Sequence, residues 1–483
     1  MTAIRRTKIV ATLGPATHSP DVLDAMFEAG MNVVRLNFSH GDPLAQIGLA
    51  ELVRERARAS RKPVGILADL QGPKIRISRF INGKVTLKEG DNFVLDATLP
   101  ADAGDQYQVG IDYKALPDDV HEGDTLLLDD GRIVLQVETV AGPRILSRVM
   151  FGGELSNNKG INRQGGGLSA GALTDKDKQD IITAATMQAD YLAVSFPRSA
   201  EDIHEARRLL REAGGHAAIV AKIERSEAVD AIEEIILAAD AIMVARGDLG
   251  VEMGDAALPP IQKRIIGLAR RMNRLTITAT QMMESMIHNP IPTRAEVFDV
   301  ANAVLDGTDA VMLSGETAVG KNPIKTVSAV HRICLQAEQE REIRVSRHRI
   351  DSHFERAMGA MYMANHLDVK VIAALTESGA TTLWMSRISS GIPIFALTPH
   401  EQTARRVTLC RGVYPIIFSR KHDDHAALNR EMIDELLHRG VVSDGDIVII
   451  TKGDLEVQGS TNALKLVRVG EMVESRVNGQ SCE

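Results

Sequence analysis

Residues 218–252, AIVAKIERSEAVDAIEEIILAADAIMVARGDLGVE, decide how the whole chain is read. Ala218–Lys222 is an apolar run of strand length that ends in a lysine, with Glu224 two residues on. Side chains two apart on a strand point to the same face, so Lys222 and Glu224 look into one pocket. Ser226 reads as a helix N-cap, and Ala228, Ile232, Ile235 and Ile236 recur at helical spacing up to Ala239. A second apolar strand, Ala241–Ala245, stops at Arg246-Gly247-Asp248. The unit is strand, helix, strand, with charges at both strand exits. In a parallel α/β barrel those exits build the active site, so two carboxylates and a lysine converge there. Such a pair of carboxylates suits an octahedral Mg²⁺ shared with substrate phosphates. The lysine suits a phosphoryl group in transfer.

Outward from this unit, short apolar strands alternate with amphipathic helices. The strand candidates are Lys8–Thr12, Asn32–Asn37, Val64–Asp69, Tyr191–Ser195, Ala218–Lys222, Ala241–Ala245, Thr276–Ala279 and Ala310–Leu313. Eight is the number a (β/α)₈ barrel needs, and the polar strand ends favour it over an open doubly wound sheet. Ser19-Pro20 and Pro43 start helices by the N-cap and N1 rule. Further helices are expected over about 200–213, 260–272, 294–305 and 324–340.

The alternation breaks after the third strand. From Arg76 to Asn162 the chain shows hairpin chemistry instead, at Asn82-Gly83, Asp130-Gly131 and Gly142-Pro143. This predicts a small β-barrel domain inserted into a barrel loop, where it can act as a lid. Gly165–Gly167 then reads as a hinge before a helix capped by Thr174. A charged run at 341–353 reads as a linker, and a mixed α/β unit follows, with strands at 369–375, 394–397, 413–418 and 447–451. Helices fit near 356–366, 382–388 and 426–439. The expected domains are a discontinuous barrel (1–72 and 165–342), an insert (73–164) and a C-terminal α/β regulatory domain (343–483).

Composition excludes several classes of protein. Net charge is −8, from 56 basic against 64 acidic residues, which argues against nucleic acid or an anionic membrane as partner. The three cysteines, Cys334, Cys410 and Cys482, lie far apart with no CxxC, which suits a reducing compartment and offers no zinc site. No apolar run is long enough to span a membrane, and the basic start MTAIRR leads into a strand rather than a signal segment. A cytoplasmic enzyme is expected.

Other strand exits carry usable groups. Arg35 through Gly41 (RLNFSHG) presents a guanidinium suited to phosphate, with Asn37 and Ser39 able to cap the turn. Lys74 and Arg76, two apart after Gly72-Pro73, can both face a polyanion. Thr280 can position substrate or relay a proton, whereas Thr278, Met282, Met283, Met286 and Glu316 read as structural. Ser314 starts a polar turn in the phosphate-side position of such barrels.

RLNFSHG, GPKIR, AKIE, ARGDLGVE, TATQMMESM and MLSGETA occur in the order found in pyruvate kinases, between TLGPAT at Thr12–Thr17 and GSTN at Gly459–Asn462. The chain resembles that family over nearly its whole length. The resemblance implies transfer of a phosphoryl group from phosphoenolpyruvate to ADP, with Glu224 and Asp248 as Mg²⁺ (or Mn²⁺) ligands. It implies that Lys222 stabilises the moving phosphoryl group and the enolate. Gly247 and Asp248 amides would hold the substrate carboxylate, with Arg35 and Arg76 on phosphates. Thr280 would lie by the enolate, the proton coming from Thr280, a water or a chain from Ser314. Asn37, Phe38, Ser39, His40 and Lys159 look like nucleotide contacts. One departure sits at Arg163–Gly171, where many relatives carry a Leu-Pro-type linker.

A second departure concerns K⁺. Relatives give a monovalent cation oxygen ligands at the positions of Asn37, Ser39, Asp69 and Leu70, with an acidic residue at position 74. Here Leu70 can offer only its carbonyl and position 74 is Lys74, so K⁺ should not be required. The resemblance also suggests the bacterial branch answering to sugar monophosphates or AMP, fructose 1,6-bisphosphate being an alternative. Thr376, Ser378, Gly379, Thr381 and Thr382 open a helix after a strand and offer hydroxyls and amides to such a phosphate. A homotetramer is expected for a coupled enzyme of this kind. The rival reading is another Mg²⁺-dependent enolate-handling barrel, such as a pyruvate aldolase.

Overall fold

The computed structural model describes residues 4–339, 352–388, 390–422, 424–453 and 461–471. Eight parallel strands close into a barrel: β1 (Lys8–Thr12), β2 (Val33–Asn37), β3 (Gly65–Asp69), β4 (Tyr191–Val194), β5 (Ala218–Ile223), β6 (Ala241–Ala245), β7 (Leu275–Ala279) and β8 (Ala310–Leu313). Each pairs with its neighbours in chain order, and β8 closes on β1 with Ala310 opposite Lys8. All eight predicted strands are present, each end within one residue of expectation.

Strand periodicity sorts the side chains. Ile9, Val34, Ile66, Ile219 and Ile242 face outward and pack under the helices. Val10, Val33, Leu67 and Val220 face inward. Two positions further along the same faces stand Thr12, Arg35, Asp69 and Lys222. A filled apolar barrel thus acquires a charged rim at the C-terminal strand ends.

Local chemistry sets the helix starts. Ser19 caps Pro20–Ala29, its hydroxyl accepting the Val22 N–H, and Asp42 caps Pro43–Ala59. Thr174 forms a capping box with Asp177. The single helix expected after Ser226 is instead two, Ser226–Asp230 and Ile232–Ala238. Ser226 is not its N-cap: Arg225 holds that position, and the Ser226 hydroxyl donates to the Gly165 carbonyl at 2.9 Å. A contact distant in sequence has taken the hydroxyl from its local role.

After β3 the chain leaves the barrel. The insert contains a six-stranded sheet and a two-stranded pair, around a core that includes Ile77, Phe93, Leu126 and Val137. Thr125–Leu128 and Ile133–Ala141 form a hairpin whose turn places Asp129 and Asp130 at φ 50° and 55°. Gly142-Pro143 joins the next antiparallel pair, with Ala141 opposite Arg144. Asn82-Gly83 also makes a turn, Gly83 N–H to Phe80 O at 3.0 Å, but not a hairpin. Lys84–Leu87 pairs with Gly153–Ser156 instead, because long-range packing rather than the turn selects its partner.

Gly165–Gly167 brings the chain back at φ 82°, 78° and 89°, a region that favours glycine. A Cβ on Gly166 would stand 2.1 Å from the Ser226 hydroxyl. The segment is bonded down, Gly165 N–H to the Glu252 carbonyl at 3.1 Å and Gly167 N–H to the Glu227 carboxylate.

The C-terminal unit is a five-stranded sheet in the order Val413–Ile417, Ile394–Thr398, Val371–Leu375, Ile447–Gly453, Thr461–Arg468, the last strand antiparallel. That strand and the short helix Glu401–Arg406 were not predicted from the sequence. Residues 341–351 of the charged run, Gly459, Ser460 and Cys482 lie outside the described residues.

The apolar filling of the barrel continues into this unit: Val10, Tyr191 and Leu275 share one core with Ala360, Met385, Ile388 and Leu409. Beside it lies a buried ion pair. Arg387 meets both oxygens of Asp309, Nη1 at 2.8 Å from Oδ2, and Thr276 N–H donates to the same Oδ2 at 2.9 Å. Arg411 N–H reaches Oδ1 at 3.2 Å. Among the described residues no helix is long and apolar enough to cross a membrane.

Candidate active site

Lys222 organises the charged rim. Its Nζ donates to Ser195 Oγ at 2.6 Å and lies 3.2 Å from Asp69 Oδ1 and 3.0 Å from Glu224 Oε1. Burial alone would lower its proton affinity, but Asp69 and then Glu224 outweigh that, so it remains an ammonium with a raised pKa. Asp69, fully buried, takes Arg35 Nε on Oδ2 at 2.6 Å, and Arg35 reaches Thr12 Oγ1 at 3.0 Å. Burial raises the Asp69 pKa, yet Lys222 and Arg35 bring it below the ordinary carboxylate value.

Glu224 follows β5 and accepts the Phe196 N–H at 2.9 Å. Its pKa is raised, first by burial and also by Asp248 and Asp69 nearby, against the pull of Lys222. Glu224 and Asp248 are thus close enough to repel. Among the described residues no group of three or more His, Cys, Asp or Glu side chains could hold a metal. The chain offers a carboxylate pair instead, which fits a hard cation that keeps oxygens of substrate and water as its other ligands.

Asp248 lies in the helix Arg246–Met253, which starts directly after β6. Gly247 N–H donates to Thr280 Oγ1 at 2.8 Å, and Thr280 stands at φ 65°, unusual for a β-branched residue. Arg246 fixes that backbone. Its guanidinium donates to the Thr280 carbonyl at 2.6 Å and pairs with Asp299 at 2.7 Å. A Cβ on Gly247 would meet nothing closer than Thr280 Oγ1 at 3.7 Å, so packing within the chain does not demand glycine there.

Lys74 points to Asp248, with Nζ 2.9 Å from Oδ1, and lies 3.9 Å from Asp130 of the insert. Among the described residues it hydrogen-bonds to none of Asn37, Ser39, Asp69 and Leu70. Those groups are engaged otherwise: Asn37 Oδ1 accepts the Ser39 N–H at 3.1 Å, and the Leu70 carbonyl accepts Ser195 Oγ at 2.7 Å. Phe38 is buried, its carbonyl accepting Lys176 Nζ at 2.7 Å, and His40 is exposed. Arg76 and Lys159 come together in the insert: Arg76 bridges to Gly160 and donates to Asn158 O at 2.9 Å, while Lys159 pairs with Asp129 at 2.7 Å.

The residues read as structural behave so. Thr278 Oγ1 bonds Thr308 Oγ1 at 3.1 Å, Met282, Met283 and Met286 are buried, and Glu316 accepts the N–H groups of Met283 and Ser314. Sequence reasoning gave no role to Ser195, Thr12 or Arg246 as partners of the central groups. Their signal was position alone, at or just past a strand end. In the C-terminal unit, Thr376 Oγ1 accepts the Gly379 N–H at 2.9 Å and Thr382 Oγ1 donates to the Gly379 carbonyl at 2.8 Å. Two of the hydroxyls expected to meet a phosphate thus bond their own loop. Gly379 itself stands at φ 84° before the helix Ala380–Arg387.

Comparison with known proteins gives two family matches, "Pyruvate kinase, barrel domain" over residues 4–327 and "Pyruvate kinase, alpha/beta domain" over residues 355–467. The chain is 57% identical over 476 residues to pyruvate kinase II of Salmonella typhimurium, covering 96% of this chain and 99% of that one. It is 55% identical to the pyruvate kinase of Haemophilus influenzae, covering 95% and 97%. Against that of Mycobacterium intracellulare the identity is 40%, covering 97% and 99%.

Proposed function

This chain belongs to the pyruvate kinase family, and on that premise we propose the roles its own residues take in moving a phosphoryl group from phosphoenolpyruvate to ADP. Phosphoenolpyruvate and ADP give pyruvate and ATP, the last step of glycolysis. The observation that carries the assignment of roles is the Lys222 ammonium held between Asp69 and Glu224 on the charged rim. A fixed cation there neutralises the oxygens of the phosphoryl group in flight and then the enolate it leaves. Asp69 is a positioning residue, aligning Lys222 and Arg35 from one buried carboxylate. Arg35 steadies the transferring phosphate, and Arg76 with Lys159 faces the nucleotide from the insert, beside Asn37–His40.

An incoming substrate carboxylate takes the Gly247 and Asp248 N–H groups at the helix start, displacing Thr280 Oγ1 from Gly247. The released hydroxyl then stands where C3 of the enolate is protonated, the donor being Thr280, a water or a chain from Ser314. Mg²⁺, or Mn²⁺ in its place, would be held by Glu224 and Asp248 and would supply charge neutralisation between substrate oxygens. Glu224→Gln should raise the half-saturating Mg²⁺ concentration about tenfold or more. An unchanged Mg²⁺ titration would remove Glu224 from the ligand set.

Lys74 stands in for K⁺. Two acceptors expected around K⁺, Asn37 Oδ1 and the Leu70 carbonyl, already have donors within the chain, and Lys74 brings a positive charge next to Asp248. Its pKa is raised: burial lowers it, but Asp248 outweighs burial. The regulatory reading is a cytoplasmic homotetramer activated by a sugar phosphate or AMP at the Thr376–Thr382 loop, where the Ser378 hydroxyl, which accepts the Ala380 N–H at 3.4 Å, keeps its own hydrogen to donate to an anion. One set of saturation curves for phosphoenolpyruvate tests both points. At matched ionic strength, KCl should leave turnover unchanged, and an effector should shift a sigmoidal curve to lower concentration. Strong activation by KCl overturns the first point, and curves indifferent to every effector overturn the second.

A further inference from the structure

Lys74 stands where the chain leaves the barrel for the insert, and its side chain touches both. Its stem runs over Gly160 of the insert, where a Cβ would come within 3.1 Å of Lys74 Cε. The Gly160 carbonyl in turn accepts the Asp129 N–H at 3.2 Å, which brings the turn at Asp129-Asp130 to the same place. The Lys74 ammonium ends 2.9 Å from Asp248 Oδ1 on the barrel and 3.9 Å from Asp130 Oδ1 on the insert.

Asp248 is one of the two carboxylates assigned above to the divalent ion, so a cation of the chain already neutralises it. Burial works against the Lys74 charge, and Asp248, then Asp130 and Glu224, keep it in place. Both assigned ligands thus attract the same ammonium. Two cations on one carboxylate repel strongly in a partly closed site. Lys74 and a divalent ion therefore compete for Asp248. The displaced ammonium has an acceptor within reach. Closing the gap to Asp130 takes about 1 Å at the end of a flexible stem, and the Asp130 side chain, 72% exposed, has room to receive it.

We propose that Lys74 gates the divalent-ion site, holding Asp248 until the ion takes its place and then passing to Asp130 on the insert. The proposal rests on the reading of Glu224 and Asp248 as the ligands. It goes beyond the replacement of K⁺ because it fixes an order: the lysine charge is released towards the insert only once the metal site is filled.

The test is binding of Mn²⁺ to the full-length protein without substrates, read from the electron paramagnetic resonance signal of free Mn²⁺. Lys74→Met, which keeps most of the stem, should bind Mn²⁺ about tenfold more tightly than the parent. Asp130 stands at φ 55°, which asparagine tolerates. Asp130→Asn should bind Mn²⁺ about threefold more weakly, because Lys74 loses its second carboxylate. Both changes should persist between about 0.05 and 0.5 M tetramethylammonium chloride, since a contact pair is screened far less than a distant field. If Lys74→Met does not fold, Lys74→Gln takes its place with the same expectation. Mn²⁺ binding no tighter in the folded Lys74 variant, binding unchanged in Asp130→Asn, or effects that vanish in salt each overturn the proposal. Glu224→Gln separates it from the reading it rests on: binding should weaken about tenfold or more. Unchanged binding there removes the ligand pair itself and the gate with it, whereas a failure confined to the Lys74 and Asp130 variants removes the gate alone.

Discussion

The barrel buries two clusters of charge, one at each end, and they differ in how far they are closed. At the end facing the C-terminal sheet, Asp309 receives Arg387 on both oxygens together with the Thr276 and Arg411 N–H groups. Burial raises its pKa, but Arg387 outweighs that and holds it below the ordinary value. At the catalytic end, Asp69 Oδ1 lies near Lys222 yet makes no hydrogen bond, and Glu224 has its pKa raised. Charges whose partners all come from within the chain hold the chain together. Charges left partly unmatched are held ready for something that is not the chain, at a cost in stability.

The comparison can be broken at either cluster. The largest effect expected is on stability, from Arg387→Ala: a buried carboxylate without its partner should cost about 3–5 kcal/mol in denaturant unfolding. The fraction that folds should keep its half-saturation for phosphoenolpyruvate. Lys222→Met should do the opposite, losing roughly 10²–10³-fold in turnover while melting near the parent temperature. If Lys222→Met unfolds the chain, or Arg387→Ala abolishes catalysis in folded protein, the two clusters are not distinct in kind.

Glu252, 5% exposed where the insert returns to the barrel, sharpens the comparison with a smaller effect. Burial pushes its pKa up to about 7, against the Ser226 N–H. A folded-state value above the ordinary 4.5 means stability fully present below about pH 4.5 and lost as pH rises through about 7. The melting temperature should therefore fall between about pH 4.5 and about pH 7, and Glu252→Gln should flatten that fall. An identical slope in the variant would assign the pH dependence to other groups.

The barrel was legible because its signal is local: eight short apolar runs, buried almost throughout, each closed by a polar group. Lys222 and Glu224 were legible for the same reason, two positions apart on one strand face. The roles of Asp69, Ser195 and Arg246 were not, because they depend on which strand ends meet when the barrel closes. Asp69 reaches Lys222 from β3 to β5, past β4, and no spacing in the sequence encodes that distance. Ser226 failed as a cap because the glycine run at 165–167 competes for its hydroxyl from the far side of the insert. The Thr376 loop shows the converse, since there the hydroxyls follow the ordinary preference of threonine for its own backbone.

The shared filling of the barrel has a thermodynamic consequence. Val10, Tyr191 and Leu275 are covered on one side by Ala360, Met385 and Leu409, so the barrel does not own a complete interior. Removing the C-terminal unit would open that interior to water, and the barrel would become prone to self-association. Calorimetry should therefore register the two as a single cooperative transition. The insert, with a core built from its own residues apart from Leu168 and Ala170 of the return segment, is free to melt as a separate foldon. The insert can thus loosen without weakening the part that holds the charged rim in place.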